Sequence, residues 1–147
     1  MKNGKLILIL ACALSIFFVN SCLHTTAIPD QAEILALASR LLELTRAVEG
    51  TVRYGDLPSG ISEYELLEKS TDENPELLRA FDDYQIRVAS RNKHVVLLVC
   101  TGDGRHGLLE DAGCTDDMDK YLWENSSFQP CVFTMDPDAA CGQGESR

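Results

Sequence analysis

The sequence predicts an α+β fold: N-terminal helices followed by a small three- to four-stranded antiparallel sheet, braced by disulfides. Apolar residues recur at helical spacing between Gln31 and Phe81, and from Tyr84 the period changes to two. Four cysteines, Cys100, Cys114, Cys131 and Cys141, lie in the second half of the chain. With 147 residues, 45% of them hydrophobic, the chain is long enough for one core and too short for several. A core of that size argues against disorder, a solenoid or a multidomain enzyme, and the chain carries no internal repeat.

Asp30 with Glu33 has the spacing of a capping box, and Gly50 is the expected stop, so the first helix is placed from Gln31 to Glu49. Its residues Ile34, Leu37, Leu41, Leu44 and Val48 follow heptad a and d spacing, with Leu35, Ala38 and Leu42 widening the face. Such a stripe either docks on the domain's own sheet or zips to a second copy in weak self-association. Two heptads fall short of the three or four that a coiled coil needs, which favours docking. Residues 51–60 contain Gly55, Pro58 and Gly60 and read as a loop. Ser62 with Glu65 forms a second capping box, Ile61 is placed to staple against Leu66, and this short helix ends near Ser70. Asn74 caps a third, with Pro75 in its first turn and Leu77, Leu78 and Phe81 on one face.

Tyr84, Ile86 and Val88 alternate with Gln85, Arg87 and Ala89, the pattern of a strand with one wet face. After a turn at Ser90 to Lys93, the run His94 to Thr101 (HVVLLVCT) is β-branched and apolar throughout, which predicts a central strand covered on both faces. Gly102-Asp103-Gly104 turns the chain into a third strand near His106 to Glu110. Thr115 is expected to cap a short helix reaching about Trp123, and Val132 to Met135 to form a fourth strand. The domain is thus placed at residues 30–136, with a loose tail at 137–147.

Residues Met1 to Ser21 carry Lys2 and Lys5, no acid, and the 14-residue apolar run Leu6 to Val19. This is the pattern of a secretory signal peptide, since a membrane-spanning helix needs about 20 apolar residues. The run closes on Val19-Asn20-Ser21-Cys22, which resembles the lipobox of bacterial lipoprotein precursors. Val19 and Ser21 fit that pattern and Asn20 departs from it. The resemblance implies that Cys22 becomes the first residue, carrying a diacylglyceryl thioether and an acylated amine (palmitate or a similar chain), with residues 22–29 as the tether. Leu23, in place of Asp, would favour the outer membrane, facing the periplasm. Ordinary signal peptidase cleavage after Ser21 or after Ala27 remains open on the same residues.

Removal of residues 1–21 leaves 11 basic and 23 acidic residues, a net charge of -12. Scattered cations among so many acids argue against nucleic acid as a partner. Cys12 falls in the signal and Cys22 at its end, so the other four cysteines are candidates for two disulfides, with three pairings open. Spacing weakly prefers Cys114 with Cys131, flanking the expected short helix, and Cys100 with Cys141. No C-x-x-C or H-x-x-x-H spacing supports a structural zinc site.

The loop Thr101 to Gly107 gathers glycines, Asp103, Arg105 and His106, but a strand follows it and Asp103 would repel phosphate. His106 with Asp103 or Asp111 would serve as a general base, yet no activated nucleophile accompanies it. His94 reads as a satisfied strand residue. Glu110, Asp111, Asp116, Asp117 and Asp119 lack EF-hand spacing, and Asp116 and Asp117 suit the first turn of the helix that Thr115 caps. Asn125-Ser126-Ser127 is formally a glycosylation sequon. Tyr121 and Trp123 pack on a core or, if exposed, form a recognition patch. These readings assign no catalytic residue, metal or cofactor. They predict a small exported, membrane-anchored lipoprotein that acts as an envelope interaction or accessory module without catalysing a reaction. A soluble secreted binding or inhibitory protein is the alternative, and an enzyme using His106 the third choice.

Overall fold

The computed structural model describes residues 29–124 and 127–142. Three helices lead: α1 (Gln31–Tyr54), α2 (Glu63–Thr71) and the single turn α3 (Glu76–Arg79). The strands β1 (Tyr84–Arg91), β2 (His94–Thr101), β3 (His106–Ala112), β4 (Lys120–Tyr121), β5 (Trp123–Glu124) and β6 (Ser127–Pro130) follow, then a last short helix, α4 (Pro137–Cys141). All strand pairs are antiparallel, in the order β1-β2-β3-β6-β5, with β4 also on β3. The α+β, disulfide-braced architecture is the one the periodicity predicts.

Capping fixes the helix starts. The Asp30 carboxylate accepts the Glu33 amide, and Ser62 with Glu65 closes a full reciprocal capping box. At α3 the expected Asn74 side-chain cap is not formed; Pro75 takes the cap position and the Asn74 carbonyl accepts the Leu77 amide. Nor does α1 stop at Gly50. It runs to Tyr54 and ends at Gly55, where a Cβ would fall 2.4 Å from the Thr51 carbonyl oxygen. The additional turn is held by Arg53, which donates to Glu49 one turn back, and by Val52 packing on the core. These contacts outweigh the roughly 1 kcal/mol that a helical glycine costs.

The α1 stripe docks on the sheet: Ile34, Leu37, Ala38, Leu41, Leu44 and Val48 are buried against Val95, Leu97, Val99, Leu108 and Leu109. The heptad residues are therefore occupied inside the domain, while Leu35, at the edge of the face, stays 53% exposed. Side chains of β2 alternate between two cores. Val95, Leu97 and Val99 face the helices; Leu98 and Cys100 face a smaller cluster with Leu122, Cys131 and Phe133. Coverage on both sides explains the unbroken apolar run of β2.

A bulge sits in β3. Val99 pairs with Leu109 but Cys100 pairs with Gly107, so Leu108 is an extra residue. Successive leucines 108 and 109 both reach the helix-side core, and the alternation shifts beyond them. As a result, Glu110, opposite Leu98, lies on the side of the smaller cluster, and Asp111, opposite Leu97, lies on the side of α1.

Residues 113–135 depart most from expectation. No helix follows Thr115; the Asp119 carboxylate accepts the Ala112 amide and the Thr115 hydroxyl, shaping a compact turn. Asp116 and Asp117 are thus exposed turn residues, and Arg46 donates to the Asp116 carbonyl. The chain returns as β4, with Leu122 donating to the Leu108 carbonyl. Residues Val132 to Met135 form no strand, because the amides of Thr134 and Met135 are taken by the Glu110 carboxylate. The place on the sheet is taken instead by β6, which pairs with β3 at His106 with Pro130 and Gly107 with Gln129. The tail is ordered further than expected: Asp136 caps α4 through the amides of Asp138 and Ala139.

The bridges are Cys100–Cys131 and Cys114–Cys141, which corrects the pairing that spacing preferred. With no helix between them, Cys114 and Cys131 have nothing to bring them together. Cys131 is instead brought beside Cys100 by the pairing of β6 with β3, continued by the Cys131 amide donating to the Arg105 carbonyl. Each bridge closes a loop of about 30 residues, worth roughly 3.5 kcal/mol in chain entropy.

A Cβ added at Gly50 meets nothing within 4 Å. Gly50→Ala is expected to stabilise the fold by about 0.5–1 kcal/mol in urea denaturation, with an unchanged m-value.

Candidate functional site

Among the described residues three carboxylates are buried: Glu49, Glu110 and Asp111. Burying a carboxylate is costly unless donors surround it. Glu110 is fully satisfied, accepting the Thr134 amide at 2.8 Å, the Thr134 hydroxyl and the Met135 amide at 3.0 Å. Glu49 accepts the Val95 amide at 2.7 Å with one oxygen and Arg53 Nε at 2.7 Å with the other. That second oxygen also lies 2.9 Å from His94 Nδ1, and Arg53 Nη2 lies 2.9 Å from the same ring nitrogen. The nitrogen sits between an acceptor and a donor. It accepts from Arg53 when bare and donates to Glu49 when it carries a proton, but never both.

Asp111 differs. Its oxygens are buried and close no hydrogen bond. Thr45, beside it on α1, gives its hydroxyl proton to the Leu41 carbonyl. Burial pushes the Asp111 carboxyl up to about 7; the negative charge of Asp119 adds to the rise, and the dipoles of Thr45 and of the Asp119 amide only partly offset it.

At the end of the domain where α1 finishes, a cleft of about 300 Å³ is lined by Arg53, Tyr54, Asn92, Lys93 and His94. The β1–β2 register, Arg91 opposite His94, leaves Asn92 and Lys93 as a two-residue turn with φ of 48° and 67°. Both angles are positive, the signature of a type I′ hairpin turn. Behind the cleft, Glu49, His94 and Cys141 bring potential ligand atoms within 4.8 Å of one another. As folded, the sulfur belongs to the bridge with Cys114, and Glu49 is committed to Val95 and Arg53. The trio acts as a junction between α1, β2 and α4. A larger cleft of about 520 Å³ lies along α2 and α3, lined in part by Glu68, Asp72 and Asp82.

Among the residues singled out from sequence, the loop 101–107 is built around Asp103. Its carboxylate accepts the Thr101 hydroxyl at 2.6 Å, Arg105 Nε at 2.6 Å and the Arg105 amide at 3.1 Å. The Thr101 bond first, and then the Arg105 amide and guanidinium, hold this carboxyl down at about 2. Asp103 thereby serves the turn, while Asp111, the other proposed partner of His106, is buried on the side of α1. Tyr121 is 42% exposed, whereas Trp123 is half-buried against the helix-side core, so of that pair only Tyr121 meets the exposure a recognition patch requires. Cys22, His24, Asn125 and Ser126 lie outside the described residues. The cleft of Arg53 and Lys93 escapes sequence reading, because its two arms are some forty residues apart and α1 was expected to stop before Arg53.

No family model matches the chain, and no curated protein or solved structure is similar to it.

Because the Asp111 carboxyl is raised in the fold, the folded form keeps a proton between about pH 4 and 7 that the unfolded chain has lost. Its destabilising contribution is absent below that window, grows through it and is complete above. Asp111→Asn is therefore expected to gain on the order of 3 kcal/mol over the unaltered protein at pH 8 and much less at pH 4.5. Urea denaturation at the two pH values checks this, and an equal gain at both would contradict it.

Proposed function

We propose that the protein is an exported module of the cell envelope, anchored to a membrane through a lipidated Cys22 and acting by binding rather than catalysis. The observation that carries the reading is the pair of disulfides, Cys100–Cys131 and Cys114–Cys141. Such bridges persist in oxidising compartments outside the cytoplasm, in keeping with the apolar run that ends at Cys22. Two or more acyl chains on Cys22 give stable attachment, which an acidic domain requires next to anionic lipid. Leu23 after the cysteine favours the outer membrane, with the domain in the periplasm.

Binding is favoured over catalysis by how the reactive groups are used. Four cysteines are oxidised, Asp103 shapes a turn, and Glu49 and Glu110 receive backbone amides. Asn20, which departs from the lipobox pattern, favours a second reading: the same domain released as a soluble secreted binding protein.

Growth of the producing cells with an alkyne-tagged fatty acid separates the two. A tag on the membrane-bound protein that disappears in Cys22→Ala is the expected result. Untagged protein in the medium would establish the secreted form. Four thiols that react with alkylating agent before any reductant is added would overturn export altogether.

A further inference from the structure

We propose that the cleft at the end of α1 binds a small organic anion, a carboxylate or phosphate attached to a planar or apolar body, with Lys93 and Arg53 as its charge partners and Tyr54 as its contact surface. The inference rests on the reading as a binding module and is independent of the anchor.

Charge argues for it first. The processed chain has a net charge of -12, and among the described residues Arg40 pairs with Glu43, Arg46 with Asp116, Arg53 with Glu49, Arg79 with Glu76, Arg91 with Asp136 and Arg105 with Asp103, whereas Lys93 enters no ion pair. Among the described residues no carboxylate lines this cleft. Of the two nearby acids, Glu49 is buried and pairs with Arg53 from behind at 2.7 Å, which leaves Lys93 as the main positive charge facing the cleft, and Asp138 accepts the Asn92 side chain at 3.0 Å. Arg53 spends two of its five N–H groups on Glu49 and His94, a fixed orientation that leaves others for a ligand. Tyr54, beside it, is 86% exposed. A volume of about 300 Å³ is at the lower end of the range for small-molecule sites.

Backbone conformation gives an independent argument. The second residue of a type I′ turn is ordinarily glycine, because φ near +60° presses Cβ against the backbone. Here it is Lys93, at φ 67°. Folding alone would favour glycine at this position, so what the lysine contributes is its ammonium group, held at the lip of the cleft. Strained positions of this kind concentrate at binding sites.

The two requirements separate in one variant. Lys93→Gly relieves the turn and removes the charge, so its Tm is expected to be at least that of the unaltered protein while its affinity for an anion falls about tenfold. The probe is phenyl phosphate, titrated calorimetrically into the processed full-length protein purified in detergent, with phenol as the uncharged control. Expected are saturable binding of phenyl phosphate, none of phenol, and weakening in both Lys93→Gly and Tyr54→Ala. Displacement by short-chain phosphatidylglycerol assigns the natural anion to a lipid headgroup, and resistance to it assigns a free solute. Cys22→Ala should bind the probe as well as the parent, which keeps a failed anchor distinct from a failed site. Absence of saturable binding up to about 10 mM, or an affinity unchanged in Lys93→Gly, would overturn the proposal.

Discussion

The fold depends on one constraint: β2 is apolar on both faces, so both faces have to be covered. The helices cover one side with a full stripe of leucines and valines from α1, joined by Leu66, Leu67, Leu77 and Phe81. The other side receives the chain after β6, which brings only Cys131 and Phe133 to the cluster around Leu98 and Cys100. Two residues bury too little apolar area to fix a segment. What holds it is polar and covalent: the Glu110 carboxylate gathering two backbone amides, the two disulfides, and Asp136 joined to Arg91 on β1. The same chain segment that looks weakest in hydrophobic terms therefore carries the strongest specific restraints.

Buried carboxylates do much of this work, and the bulge at Leu108 decides which acid does what. In a regular strand Glu110 would face α1 and Asp111 the C-terminal segment. The extra residue exchanges them, giving the longer side chain reach to Thr134 and Met135 and leaving Asp111 under Thr45, short of donors. Just beyond, Gly113 admits α1 so closely that a Cβ would stand 2.4 Å from that of Glu49. This approach brings the Glu49 carboxylate to the Val95 amide and so joins helix to sheet at the end where the cleft forms. The same latch orients Arg53 at the cleft.

Arranged this way, the molecule has two unlike ends of chain. On our reading the N-terminal residues carry the address and the lipid; the far end of α1 carries a cleft lined by Arg53 and Lys93. The 24-residue helix α1 is about 36 Å long and ends at that cleft.

Several local features were legible in the residues alone: the helix caps at Asp30 and Ser62, the docking stripe of α1, the one-sided alternation of β1 and the doubly covered β2. Each is decided by neighbours within a few positions, so period and spacing suffice to see it. Tertiary structure decided the rest. Gly50 reads as a helix stop until Arg53 and Val52 are seen holding the turn beyond it, and Thr115 reads as a cap until Asp119 takes the amide of Ala112. Val132 to Met135 has the composition of a strand, yet its amides go to a side chain 24 residues away. The disulfide pairing followed from those displacements, and so did the cleft, since both join segments that only the packing of α1, β2 and the C-terminal chain brings together.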